Sequence, residues 1–301
     1  MRIRNYLWGI VLGVAVLFNA AFANEVTLPY KNLKLSADLT LAPGKTVADG
    51  VVLITHGTLA HRDMEMLVAM RNLLRDKGFN TLAINLSLGL DNRHGMYDCK
   101  TTHKHRNDDA AHEIGAWVAW LKSQGATRIA LLGHSRGGAQ TAHYAAEHDS
   151  PLIKAVVLMA PAIADNASAA GYQQRYKKPL APVLAKARKL VKQGKGDTVL
   201  TKTSLLSCPD ASVTAASFVS YYGQHPHSDT LALLPKITEP TLILWGDKDE
   251  VVTGLDKKMA ALIDGKRAQF KTIEGADHFF RDLYAEDAVD VITPFLKSHG
   301  F

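Results

Sequence analysis

The stretch Ile129-Ala130-Leu131-Leu132-Gly133-His134-Ser135-Arg136-Gly137-Gly138 decides how this chain is read. A short β-prone apolar run breaks into glycines around one serine, and a helical stretch from Ala139 to His148 follows. A strand that runs straight into a helix must turn at Ser135, which puts the serine in a strained conformation with its hydroxyl projecting. Side chains at 133 and 137 would collide with the adjoining strand and helix, so glycine is required at both. The helix opening at Arg136 directs free backbone N–H groups and a positive dipole end at any oxyanion formed beside Ser135. Gly-x-Ser-x-Gly alone is a weak signal, occurring by chance in about one chain in ten of this length. The strand before it and the helix after it give it weight.

Outward from this corner, similar apolar runs recur at Val51 to Thr55, Thr81 to Leu86, Ala155 to Met159 and Thr241 to Trp245. Their nearly continuous hydrophobicity indicates strands buried on both faces, as in a parallel sheet. Helical patterns lie between several of them. Asp63 is expected to cap a helix whose Met66, Met70, Leu73 and Leu74 share a face, and Ala111, Ile114, Trp117, Val118 and Leu121 repeat that spacing. Val26 to Leu41 predicts one or two antiparallel edge strands, Gln269 to Ile273 a last strand and Ala285 to Lys297 a final helix.

Between Ala155 and Thr241 the chain travels 86 residues, far more than a crossover helix needs. Residues 163–235 are therefore expected to be an inserted cap, with a helix near Leu180 to Lys192, and residues 24–162 and 236–301 the core. Length alone would allow two domains, but one large α/β domain with an insertion fits equally well.

Serine at its ordinary pKa is a poor nucleophile, so a histidine must accept its proton and an acid must hold that histidine in the right tautomer. Trp245-Gly246-Asp247-Lys248-Asp249 follows one predicted strand, and Gly275-Ala276-Asp277-His278-Phe279 follows the last. The chain order Ser135, Asp249, His278 is the one expected for this kind of serine corner. Asp247, Asp249 and Asp277 are all candidates for the acid, with Asp249 favoured. His56-Gly57-Thr58 ends the first long apolar strand, where a second oxyanion donor is needed, so the N–H groups of Thr58 and Arg136 form the natural oxyanion pair.

With these motifs the sequence resembles the α/β-hydrolase superfamily of serine hydrolases. The resemblance covers about residues 50–163 and 235–300 and matches the insertion only as a variable cap. It implies an α/β fold with a mostly parallel central sheet flanked by helices. It also implies cleavage of a small-molecule acyl ester through an acyl-enzyme, with no cofactor. Thioesterase, lipase, peptidase and acyltransferase activities use the same three residues, and a catalytically silent ligand-binding member is the rival of another class. In that superfamily the acid commonly lies three residues after the glycine that ends its strand, which carries onto Asp249. Two departures stand out: Glu250 sits where many relatives have proline, and Thr58 replaces the commoner glycine or aromatic residue.

Residues 1–23 carry Arg2 and Arg4, an uncharged apolar run from Tyr6 to Phe18, and Ala21-Phe22-Ala23 before Asn24. That is the pattern of a cleaved export signal, which makes the expected location periplasmic or secreted, with membrane contact only during export. The remaining chain has 33 basic and 29 acidic side chains, a surplus of +4 that is too small to suggest a nucleic-acid partner. The oligomeric state is not legible. In an oxidising compartment the two cysteines, Cys99 and Cys208, are expected to pair. Eight basic and no acidic residues lie between Arg175 and Lys195, a run that reads as a solvated helix face or as a guide for an anionic substrate. His103, His105 and His112 could ligate a metal with a nearby carboxylate, since imidazole suits zinc and copper, but their spacing matches no compact site and none is expected there.

Overall fold

The apolar runs become strands in a computed structural model, which describes residues 24–301; the expected export signal lies outside the described residues. In chain order the strands are β1 (Asn24–Tyr30), β2 (Leu33–Thr40), β3 (Val51–Thr55), β4 (Asn80–Asn85), β5 (Ile129–His134), β6 (Ile153–Met159), β7 (Val199–Leu205), β8 (Cys208–Thr214), β9 (Thr241–Gly246) and β10 (Ala268–Ile273). The helices are α1 (Glu65–Asp76), α2 (Asp109–Ser123), α3 (Arg136–Glu147), α4 (Ala169–Tyr176), α5 (Leu180–Lys192), α6 (Ala215–Tyr222), α7 (Thr230–Leu233), α8 (Leu255–Met259) and α9 (Tyr284–Ser298).

Eight strands form one sheet in the order β1-β2-β4-β3-β5-β6-β9-β10. The pairs β1·β2 and β2·β4 are antiparallel and the rest are parallel. Alternation along each strand feeds two apolar layers. Val51, Leu53, Ile129, Leu131 and Leu158 pack on the side of α2 and α3. Val52, Ile54, Ala130, Leu132 and Val157 pack on the side of α1 and α9. Because both faces are covered, the central strands can be apolar at every position.

Asp63 does not cap α1. Met64 occupies the N-cap without a side-chain bond, and the Asp63 carboxylate lies 3.4 Å from Arg71 Nη2 instead. Arg62 and Arg71 are both buried against Asp38 on β2, at 3.0 and 2.8 Å, and this charge cluster draws Asp63 away from the helix end.

Between β6 and β9 a third apolar cluster forms, in which Tyr172, Leu184, Leu205, Val213 and Phe218 are buried together with Leu59 and Tyr97 from the loops after β3 and β4. A disulfide between Cys99 and Cys208 joins the insertion to the loop after β4, with Cα atoms 5.5 Å apart. His103 of the same loop pairs with β8 through His103 N–H to Ser212 O and Thr214 N–H to His103 O, at 2.8 and 3.0 Å. On α5, Leu180, Leu184 and Ala187 face this core while Lys186, Arg188, Lys189 and Lys192 face solvent. After α6 the chain returns to the sheet layers: the Thr230 hydroxyl donates to Ala162 O at 2.7 Å, and Leu233 and Leu234 are buried in the core. Among the described residues no helix is long and apolar enough to cross a membrane.

The Cys99–Cys208 bridge closes a loop of 109 residues. Replacing both cysteines by serine is expected to cost about 2–4 kcal/mol of stability. Urea unfolding of the two proteins, compared in non-reducing buffer, measures it; equal midpoints would mean the bridge constrains nothing.

Candidate active site

Ser135 stands between the end of β5 and the start of α3 with φ 57° and ψ −123°, a conformation that costs a non-glycine residue about 1–3 kcal/mol. Four backbone bonds hold it there: Ser135 N–H to Met159 O, and Gly138 N–H and Ala162 N–H to Ser135 O, each at 2.9 Å, with Ala139 N–H to Ser135 O at 3.2 Å. The two glycines are needed for close approach. A Cβ at 133 would lie 2.5 Å from Gly137 O, and one at 137 would lie 2.2 Å from His56 O.

His278 comes to this corner from the loop after β10. Its Nε2 lies 2.9 Å from Ser135 Oγ and its Nδ1 lies 2.8 Å from Asp249 Oδ2. An ionised carboxylate only accepts, so Nδ1 carries the proton and Nε2 presents its lone pair to the serine hydroxyl. Asp249 is fixed in turn, because its Oδ1 accepts the N–H groups of Val251 and Val252 at 2.7 and 2.8 Å. The other two acids are engaged elsewhere: Asp247 accepts from Gly275 N–H at 2.6 Å, and Asp277 accepts from Phe279 N–H at 2.9 Å and pairs with Arg281. Asp247 thus braces the loop that carries the histidine. His134 braces it as well, its Nε2 donating to His278 O at 2.8 Å.

Thr58 and Arg136 flank the serine. The Gly57 backbone sits so close that a Cβ there would be 3.2 Å from Ser135 Cβ. Neither the Thr58 nor the Arg136 N–H donates to a backbone or side-chain acceptor among the described residues. The Arg136 side chain folds over the Tyr221 ring, and its Nε donates to Thr58 Oγ1 at 3.2 Å. It meets no carboxylate among the described residues, and burial pulls its pKa below the usual arginine value.

A polar network behind Thr58 is built from residues that no sequence motif joins. Buried His56 accepts at Nε2 from Leu86 N–H and from Arg93 Nη2, at 3.1 and 2.9 Å, and its Nδ1 lies 2.9 Å from Gly57 O. Arg93 also donates to Leu86 O and Ala60 O, at 2.6 and 2.8 Å, so a buried guanidinium ties down the Gly57–Ala60 turn that contains Thr58. Nearby, Glu113 holds the Ser87 N–H and hydroxyl at 2.7 and 2.5 Å, and burial pushes its carboxyl up to about 7.

A cavity of about 830 Å³ opens over Ser135 and His278. Met64, Met66, Leu67, Met96, Phe279 and Phe280 supply much of its apolar lining, and Arg175 and Ser207 reach it from the insertion. Met66 lies on the apolar helix face that the sequence pattern marks, and that pattern does not distinguish a cavity wall from core. His103 and His105 are buried and lie 3.1 Å apart, with His105 Nδ1 2.7 Å from the Tyr221 hydroxyl; His112 is exposed and does not join them.

The family model of the alpha/beta hydrolase fold matches residues 50–282. This chain belongs to that family. Among solved structures it is similar to Est1E from Butyrivibrio proteoclasticus, at 20% identity and a TM-score of 0.67 over 91% of this chain and 98% of the other. It is also similar to the Pyrococcus furiosus esterase Pf2001, at 18% identity and a TM-score of 0.64 over 93% and 92% of the two chains. A dienelactone hydrolase from Anabaena variabilis shares 17% identity and a TM-score of 0.57 over 93% and 98%. At these identities the likeness is one of fold. No curated protein matches the sequence significantly.

Burial pulls His56, His105 and His134 down to about 3 and His103 down to about 4, below the ordinary value of 6.5. The unfolded chain therefore takes up protons at these residues that the native state does not bind. Each contributes a loss of up to about 1.4 kcal/mol per pH unit as pH falls from 6.5 towards its native value. Stability should drop steeply between pH 6 and pH 4, and H134Q, which keeps a donor for His278 O, should make that slope shallower by about one proton; urea unfolding across this range measures both.

Proposed function

We propose that this α/β-hydrolase cleaves carboxylic esters through Ser135, His278 and Asp249. The observation that carries the reading is the hydrogen-bonded chain Asp249–His278–Ser135, which ends on a strained serine at the floor of a largely apolar cavity. Ser135 Oγ attacks the ester carbonyl while His278 Nε2 takes its proton. Asp249 holds the imidazole in the required tautomer and stabilises its charged form. The oxyanion develops towards the N–H groups of Thr58 and Arg136, where α3 adds the positive end of its dipole. His278 then returns the proton to the departing alcohol, and water enters on the same base to release the acid. Nothing in this sequence of steps calls for a metal or cofactor.

Est1E has also been solved with ferulic acid bound, which supports a small acyl ligand as the kind of molecule this cavity takes. Arg175 at the rim favours an ester that itself bears a negative charge. The Cys99–Cys208 bridge and the N-terminal signal pattern together support an exported enzyme.

A fluorophosphonate probe should label Ser135 alone, and Ser135→Ala should abolish labelling and lower kcat by a factor on the order of 10⁵–10⁶. Peptide mass spectrometry of the labelled protein decides it, and folded protein that takes no label would sink the proposal. An ester panel graded by charge tests the finer point: kcat/KM for anionic esters should fall with added salt while that for neutral esters stays level. Equal salt responses would remove the charge preference.

A further inference from the structure

Two turns along α3 from the serine corner, four residues from three distant segments of the chain converge. His143 and Glu147 lie on α3, Asp108 stands at the N-cap of α2, and His227 lies in the 3-10 turn Pro226–Ser228. The ligating atoms of Asp108, His143 and His227 lie within 4.8 Å of one another. The two imidazoles stack, with ring centroids 4.4 Å apart.

The orientation of the rings is the informative part. Both turn Nε2 towards the same carboxylate, His143 to Glu147 Oε2 at 3.0 Å and His227 to Glu147 Oε1 at 3.3 Å. A carboxylate on Nε2 favours a proton there and leaves Nδ1 of each ring with its lone pair. His227 Nδ1 lies 3.8 Å from Asp108 Oδ1. Both ring nitrogens of His143 are buried without a hydrogen-bond partner, Nε2 facing the Glu147 carboxylate outside hydrogen-bond geometry, in a side chain only 4% exposed. A nitrogen buried with nothing to bind costs stability unless something fills the place. Asp108, although it caps α2, spends no side-chain bond on the helix end.

We propose that this cluster is a site for a borderline transition-metal cation of the zinc type. Nδ1 of His143, Nδ1 of His227 and the Asp108 carboxylate are the ligands, and water completes four-coordination. Two imidazoles and one carboxylate suit such a cation better than calcium or magnesium, which prefer oxygen throughout. Glu147 takes the outer position that a carboxylate commonly fills behind metal-bound histidine, fixing tautomer and ring orientation. His227 and Asp108 are 42% and 46% exposed, so they can draw in to bonding distance and the cation can reach them from solvent. The site lies about 12 Å along α3 from Ser135 at 1.5 Å per residue, too far for a part in the chemistry. Its effect is to tie together the loop before α2, the helix that starts at the serine and the return leg of the insertion.

The test uses tag-free, chelator-stripped full chain titrated with Zn²⁺ against a chromophoric competitor, and with Co²⁺ as a spectroscopic probe. One equivalent of Zn²⁺ is expected, with the visible bands of four-coordinate Co²⁺ and a rise in Tm with free metal. His227→Ala, a surface change that leaves the metal-free Tm unaltered, should abolish the Co²⁺ bands and the metal-dependent rise in Tm. Glu147→Gln should weaken Zn²⁺ binding by about 10–100-fold. Failure to take up one equivalent, or uptake that is unchanged in both His227→Ala and Asp108→Asn, would overturn the site.

Discussion

The backbone contact at Gly137, where a single added carbon would meet His56 O at 2.2 Å, is the constraint on which the rest depends. It lets the first turn of α3 sit directly on the ends of β3 and β5. Ser135 is thereby forced into its positive-φ conformation, and the free N–H groups at the start of α3 arrive beside those of the Gly57-Thr58 turn. The strain is sustained because the same residue is bonded to Met159 and Ala162 on the far side. Neighbouring parallel strands end at one edge of the sheet, so the loops carrying Asp249 and His278 are delivered to the same place without any special device.

Much of this was legible because it is written locally. Strands β3, β4, β5, β6 and β9 announce themselves as short apolar runs, and the serine corner, its glycines and the histidine loop are contiguous motifs. The pairing of Cys99 with Cys208 followed from there being only two cysteines in a chain that carries an export pattern. The choice among Asp247, Asp249 and Asp277 was harder, since turn acids look alike in sequence. What separates them is which backbone N–H groups each one meets.

The misses share a physical cause. Asp63 has the spacing of a helix cap, but the buried pair Arg62 and Arg71 competes for its carboxylate, and that pair gathers on Asp38 of a different strand. The His56–Arg93 brace is likewise built from residues far apart along the chain, as are the contacts by which Asp108 and His227 join the His143–Glu147 pair of α3. No local spacing rule reaches them. The loop after β4 is rich in histidine, yet His103 and His105 are spent on docking that loop against the insertion.

The methionines around the mouth of the cavity have a consequence of their own. Met64, Met66 and Met96 are unbranched and polarizable, and Met96 is 57% exposed. A wall of thioethers moulds itself to what it meets, so it distinguishes guests by bulk far less sharply than branched or aromatic side chains would. The same softness makes the rim a target for oxidants: a sulfoxide at Met96 would set a polar, chiral group at the threshold and turn greasy guests away while leaving the buried serine untouched.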